Sequence, residues 1–444
     1  MNSDKPRGRR PAAGIHVSLI AIVCGAFIAI LAAAPTEQLA EHPLPNALAH
    51  PAIGYDTRPT HDPVADLVRR IGDGELRLNF DETSGYLKSV LDALQVPVES
   101  QMLVMSKTGV QGLHTDPSNP RAIYFTDAVT VGYIRGAPLL EFAVQDPEQG
   151  VQFYALDQKP QASPLFDRRR GCITCHQVYS TLHVPGLLAR SVFVTPGGLQ
   201  LSGSGSYDPD DRTPFRQRWG GWYVTGTHGS MRHMGNAMFT SIENRDAVIS
   251  EKTLNRTSLE GLFDGRGYPS ADSDIVALMV FQHQSRMTNL ITRVGWDARV
   301  AAHQGRADFA NGALRDAVNE IVDYLLFVDE EPLTAAIKGT TRFAEIFAAQ
   351  GPADSRGRSL RQLDLERRLL RFPCSYMIHS PAFRALPAEL RSAIYGRMWE
   401  ILSGRDTIAR YGRLSAADRR AVIEILSETL TDLPADFRSA TAIK

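Results

Sequence analysis

The sequence predicts an α+β protein, with a small antiparallel β region before and around a cysteine motif near residue 172 and a largely α-helical C-terminal third. Three observations carry this expectation. Short runs rich in β-branched and aromatic residues crowd between residues 101 and 157, separated by turn signals. Apolar residues recur at helical spacing before that stretch and again from residue 271 onward. No segment repeats at a fixed period, which argues against a solenoid or propeller. Length adds an expectation of about two or three domains. Lys plus Arg number 48 against 49 Asp plus Glu, so the net charge is −1 and no nucleic-acid partner is indicated.

Residues 1–34 read as a signal peptide or signal anchor. Lys5, Arg7, Arg9 and Arg10 precede a run from Ala12 to Ala34 that is apolar apart from His16 and Ser18. Ala32-Ala33-Ala34 fits the small-residue rule for cleavage, but Pro35 follows and disfavours the cut. From Ile15 to Ala34 the run reaches the roughly 20 residues that span a bilayer, with the positive end inside. Either fate exports the body to the periplasm. If residues 12–34 are kept, they anchor it to the inner membrane.

Residues 35–63, rich in Pro, His and Ala, read as a linker or extended arm. Residues 64–164 form a mixed region. Val64, Leu67, Val68 and Ile71 have helical spacing, stopped at Gly72-Asp73-Gly74; Tyr86, Val90, Leu91 and Leu94 repeat it. The β-rich runs follow: Met102–Met105, Arg121–Phe125, Val129–Ile134, Leu139–Val144 and Val151–Leu156. In the next region, residues 165–270, Val192-Phe193-Val194 reads as a strand before Thr195-Pro196-Gly197-Gly198, and Trp219–Val224 is aromatic and β-like. Residues 271–444 are helical: Asp272 or Ser273 caps a helix through Asp274–Arg293, followed by Ala310–Val328, Asp364–Phe372, Pro387–Gly404 and Ala416–Leu430. Residues 349–362 read as an exposed polar loop. These helices are expected to pack against the region that carries the motif.

Cys172-Ile173-Thr174-Cys175-His176 reads C-x-x-C-H, the attachment signature of a c-type haem. Each thiol can add to a haem vinyl group, and the histidine can bind the iron. Spacings of three and four put Cys172, Cys175 and His176 on one face of a helical turn. One haem c per chain is expected, and export agrees, because attachment occurs outside the cytoplasmic membrane. A zinc site completed by His228 and His233 is the competing reading, but zinc gives no reason for His176 to follow Cys175. Of the four cysteines, Cys24 lies in the apolar leader and Cys374 is expected to be a small buried hydrophobe, so no internal disulfide is left to the exported body. Arg168, Arg169 and Arg170 precede the motif and suit either propionates, an acidic partner or a solvated face. Asp208, Asp210 and Asp211 lack an EF-hand pattern and read as a loop.

The sixth iron ligand decides between electron transfer and small-ligand chemistry. Thr227–Asn236 holds two histidines and two methionines, and His233, Met234 and His228 are its candidates, in that order. Met231 lies in the same stretch, and each of these four groups also suits an ordinary core position. His183 lies too close behind His176 in sequence to reach the opposite face, and His283, on one helical stripe with Met279 and Met287, suits a satisfied core histidine. Arg232 beside His233 would serve a peroxidase, but neighbours in a strand point apart.

Asn119–Phe125, Trp219–Gly229, Arg232–Asn236, Ser380–Phe383 and Ala385–Pro387 resemble a family of large exported bacterial proteins that carry one haem c, named only as cytochrome c domain-containing proteins. The resemblance runs over most of the exported chain. It implies haem binding and electron transfer and supplies no substrate. Small cytochromes c carry the motif near their start, whereas here 171 residues precede Cys172, so their compact fold is not expected. The combined expectation is a c-type cytochrome with one covalent haem that passes single electrons to a periplasmic or membrane redox partner. A haem peroxidase or oxygenase with an open distal site and a non-catalytic haem sensor are the alternatives.

Overall fold

The computed structural model describes residues 47–437. The leader at 12–34, with Cys24, lies outside the described residues, as does the start of the 35–63 stretch. The remainder of that stretch is a packed arm, with Ile53 and Tyr55 buried against Val184, Trp296 and Val300. Two helices follow, α1 (Pro63–Gly72) and α2 (Leu87–Ala93). Asp62 starts α1 by accepting the N–H groups of Val64 and Ala65, with Pro63 at the first helical position.

The β-rich runs pair in sequence order into one six-stranded antiparallel sheet: β1 (Met102–Val104), β2 (Arg121–Phe125), β3 (Val129–Tyr133), β4 (Leu139–Asp146), β5 (Gly150–Asp157) and β6 (Phe166–Arg168). Alternation gives the sheet two faces. Leu103, Tyr124, Val131, Phe142 and Leu156 share an apolar cluster with Val64 and Leu67 of α1 and Leu87 and Val90 of α2. The opposite face meets the C-terminal helices on one side, where Phe125 lies 5.1 Å from Phe281 between ring centroids, and the cysteine motif on the other. An α+β fold with a small antiparallel sheet is therefore present, as the short β-rich runs and the turns between them predict.

After α3 (Ile173–His176) the chain is mostly irregular as far as residue 274, with the short pair β7 (Ser191–Val192) and β8 (Ser206–Tyr207) and the single turn α4 (Arg245–Val248). Trp219–Val224 is not a strand. Trp219 has φ 64° and Gly221 φ 82°, and the segment turns so that only Val104 and Trp222 form an isolated bridge. The helices are α5 (Ile275–His303), α6 (Gly312–Leu325), α7 (Phe343–Ala348), α8 (Pro381–Arg384), α9 (Ala388–Leu402) and α10 (Ala416–Thr429). Asp274, one or two positions later than the expected cap, accepts from Val276 and Ala277 and starts α5. Residues 364–372 form no helix. The Asp364 side chain accepts from the N–H groups of Glu366 and Arg367, Leu365 has φ 60°, and Leu363 bridges Leu370. A local side-chain bond here outcompetes the helical ladder. The 349–362 loop is exposed only in part, since Asp354, Ser359, Leu360 and Arg361 are buried.

The boundaries at 164, 270 and 271 mark changes in composition, while residues from all three regions belong to one compact unit. Among the described residues, no helix is long and apolar enough to cross a membrane.

Candidate haem attachment site

The motif folds on a single helical turn. A 3-10 turn over Arg170–Cys172 runs directly into α3, so Cys172, Cys175 and His176 leave one side of it. Ile173 points inward and packs on two clusters, Val151 with Phe153 and Leu187, and Tyr55 with Val184 and Trp296. Thr174 and Cys175 are exposed, and Cys172 is half-buried. Burial pushes the Cys172 thiol up, Glu141 adds to this, and Arg169 opposes it, which favours the neutral thiol.

The half-buried His176 ring lies 4.8 Å from the Phe153 ring. Its Nδ1 is 2.9 Å from the carbonyl oxygen of Gly186. A carbonyl only accepts, so Nδ1 carries the proton and the lone pair is left on Nε2. Nε2 takes no hydrogen-bond partner among the described residues. Burial lowers the pKa of His176, against the Gly186 bond, and Arg121 and Arg190 lower it further while Glu141 raises it. The imidazole is therefore neutral at pH 7, the form that can donate to a metal.

A short return loop holds this orientation. The His176 carbonyl accepts the Gly186 N–H at 2.9 Å and the Thr181 hydroxyl at 3.2 Å. Leu182 and His183 both take left-handed backbone, φ 57° and 58°, to turn the chain back. A Cβ on Gly186 would fall 2.2 Å from Asn289 Oδ1, so only glycine lets the loop approach α5 this closely. Asn289 in turn accepts the Leu187 N–H at 2.8 Å and donates to the Leu187 carbonyl at 2.9 Å. Sequence reasoning missed Gly186 and Asn289, because partners 102 residues apart leave no local pattern.

The predicted sixth ligands lie elsewhere in the segment. His228 and His233 pack on each other, 4.6 Å between centroids, and both pack on Phe215. His233 Nδ1 accepts the Gly235 N–H at 3.0 Å, and His228 Nε2 accepts the Asn255 N–H at 3.1 Å. In the neutral ring an accepting nitrogen spends its lone pair, so neither ring keeps one free. Burial lowers the pKa of both, most strongly for His233. Met234 is buried with Phe193, Ala237 and Phe239, where Ser191 donates its hydroxyl to the sulfur at 3.8 Å. Met231 joins the main core, His183 is exposed with its ring against Tyr179, and Arg232 donates to backbone carbonyls of Asp246 and Ile249.

Each of the three arginines before the motif is already engaged: Arg168 with the Tyr55 carbonyl, Arg169 with Asp167, and Arg170 with Asp56. The loop carboxylates are likewise taken, Asp208 by Ser180 and Arg190, Asp210 by Arg212, and Asp211 by His283. Among the described residues no group of three or more His, Cys, Asp or Glu side chains could hold a metal ion, so the zinc alternative is not assembled. Cys374 is fully buried, and burial pushes its thiol far up, in keeping with a small core hydrophobe. A cavity of about 510 Å³ lies apart from the motif, lined by Asp62, Gln145, Thr288, Met377 and neighbours.

Two accessible thiols beside a neutral imidazole with an uncommitted nitrogen fit the donor set of a haem c: Cys172 and Cys175 would hold the porphyrin and His176 the iron. No protein-family model, curated protein or solved structure matches the chain.

Proposed function

We propose that this protein is an exported c-type cytochrome with one covalent haem, and that it passes single electrons to a redox partner. One observation carries the reading: His176 directs its Nδ1 proton to Gly186 and leaves Nε2 unpartnered beside Cys172 and Cys175 on the same turn. Haem c supplies one-electron ferric–ferrous chemistry, or small-ligand binding where one face is open. The chain's own part is to fix the ring tautomer, keep the imidazole neutral, and seat Ile173 so that the turn cannot swing away from the sheet.

A second reading, a haem peroxidase, oxygenase or sensor with an open distal face, is favoured by a specific fact. The lone pairs of His228 and His233 are spent on backbone N–H groups. Pyridine haemochrome analysis of protein matured through export tests the shared premise. One haem per chain is expected, and Cys172→Ala should lose full covalent attachment. Colourless protein, or pigment fully extracted by acidified organic solvent, would sink the haem reading. A reduced spectrum indifferent to carbon monoxide supports electron transfer. Rapid binding supports the second reading, and turnover with peroxide then separates enzyme from sensor.

A further inference from the structure

One face of α5 grips the loop that returns from the motif. Asn289, Thr292, Arg293 and Trp296 stand at helical spacing. Asn289 bonds both backbone groups of Leu187, Arg293 donates to the Leu182 carbonyl at 2.8 Å, and Trp296 packs with Val184. Thr292 meets the neighbouring hairpin, where a Cβ on Gly150 would fall 2.6 Å from its Cγ2. Asn289 is buried, 2 % exposed, and its amide satisfies no group other than this loop.

We infer that Asn289 is a positioning residue for the iron ligand: it fixes the Gly186 carbonyl that receives the His176 Nδ1 proton, and so sets the orientation and electron-donating strength of that imidazole. The inference rests on the haem reading for its effect on iron, but the effect on the imidazole itself stands without haem. A carbonyl held against Nδ1–H gives the ring partial imidazolate character, which stabilises ferric iron. Releasing the carbonyl weakens the donation and raises the reduction potential.

Asn289→Ala removes both bonds to Leu187, and Asn289→Asp keeps the acceptor while losing the donor. Three measurements are compared with the unaltered protein. Haem per chain should be unchanged in both variants. The oxidised-to-reduced ratio at fixed ambient potential should fall about tenfold in Asn289→Ala, equivalent to about 59 mV for one electron, and less in Asn289→Asp. In haem-free protein, the ¹⁵N signals of His176 should report the Nδ1–H tautomer in the unaltered chain and a mixture in Asn289→Ala. Gly186→Ala should mimic the loss alone and be better tolerated when combined with Asn289→Ala, since the shortened side chain removes the two nearest contacts of the new Cβ and leaves Thr181 Cβ, at 3.1 Å, to give slightly. If Asn289→Ala does not fold, Asn289→Asp carries the same readouts. A lower melting temperature with unchanged potential and tautomer overturns the inference and leaves the haem reading intact. Absence of haem from the unaltered protein overturns that reading, and the tautomer measurement alone then decides the role of Asn289.

Discussion

His176 and His283 are both oriented through Nδ1, yet they sit in opposite situations. His176 bonds a backbone carbonyl and keeps Nε2 unpartnered among the described residues. His283 is fully buried, with Nδ1 on the Asp211 carboxylate and Nε2 at 2.7 Å from the Ser375 hydroxyl, and its ring stacks on Tyr324 and Phe327. Acid, imidazole and hydroxyl stand in the order of a nucleophilic triad. Ser375 and His283 are 0 % exposed, and the Ser375 oxygen also accepts the Met377 N–H to start a turn. That arrangement holds the core together and cannot meet a substrate as it stands. What marks a candidate iron ligand is therefore an uncommitted lone pair at an accessible position, and the presence of histidine alone says little.

The largest effects should separate the two regions cleanly. His283→Ala strips a partner from buried Asp211 and from Ser375 and should cost about 3 kcal/mol in denaturant unfolding. Its haem content and spectrum should match the unaltered protein. His176→Ala should do the reverse, changing the iron spectrum toward high spin with a stability loss of about 1 kcal/mol or less. A spectral change in His283→Ala that exceeds the one in His176→Ala would break the comparison.

His228 and His233 lie between these extremes, buried but close in sequence to the motif. Replacing His233 by Ala removes a packed ring from contact with Phe215, Trp219 and His228 and should cost about 2 kcal/mol. The reduced spectrum, with and without carbon monoxide, should not change. Conversion from six-coordinate to five-coordinate iron in that variant would show that the ring gives up the Gly235 N–H when haem is present. The same measurement on Met234→Leu asks this of the sulfur.

The motif was legible because Cys172, Cys175 and His176 fall within one helical turn, and that spacing is local. The sheet was legible for a similar reason: β2 to β5 are runs of five to eight residues rich in β-branched and aromatic side chains, each bounded by turn signals. β6 was hidden, because Phe166-Asp167-Arg168 offers one inward apolar residue among charges. Helix α5 was visible from its start, yet it runs ten residues past Arg293, since Trp296 and Val300 find partners in the distant arm at Ile53 and Tyr55. Asn289 lies inside the part of α5 that the periodicity shows, but its bonds to Leu187 on the return loop do not show in that periodicity. Long-range hydrogen bonds of this kind leave no periodic trace, so the contacts that orient His176 could not be read from the chain.

A pH experiment sharpens the contrast with opposite signs. Burial, reinforced by Asp211, raises Glu330 from 4.5 to about 8, with the Leu369 N–H opposing. Between those values the folded state holds a proton that the unfolded chain has released, so stability falls as pH rises through this window. The slope contributed is at most about 1.4 kcal/mol per pH unit. Glu330→Gln should flatten it. His176, His228 and His233 are all lowered by burial, so below about pH 6.5 the unfolded chain takes protons the folded state refuses, and stability falls as pH drops. An acid limb that survives Glu330→Gln while the alkaline limb disappears is the expected pattern in haem-free protein.

The smallest effect on stability is expected at the surface beside the motif, where the comparison becomes one of access. Arg170 has a 67 % exposed side chain and pairs with Asp56. An exposed pair of this kind is worth about 0.5 kcal/mol or less, so Arg170→Glu should hardly move the unfolding midpoint. It also leaves the His176–Gly186 bond untouched, so the reduction potential should hold. What the substitution can change is the encounter with a redox partner, because charge at the rim of a contact acts on association rate and its salt dependence. With an acidic electron donor in stopped flow, the rate for Arg170→Glu should fall several-fold at low salt and converge with the unaltered protein near 0.5 M. Equal rates at every ionic strength would show that Arg170 takes no part in the encounter with the donor, and the exposed side chains of Leu165 and Tyr179, 71 % and 64 % exposed, would be replaced next.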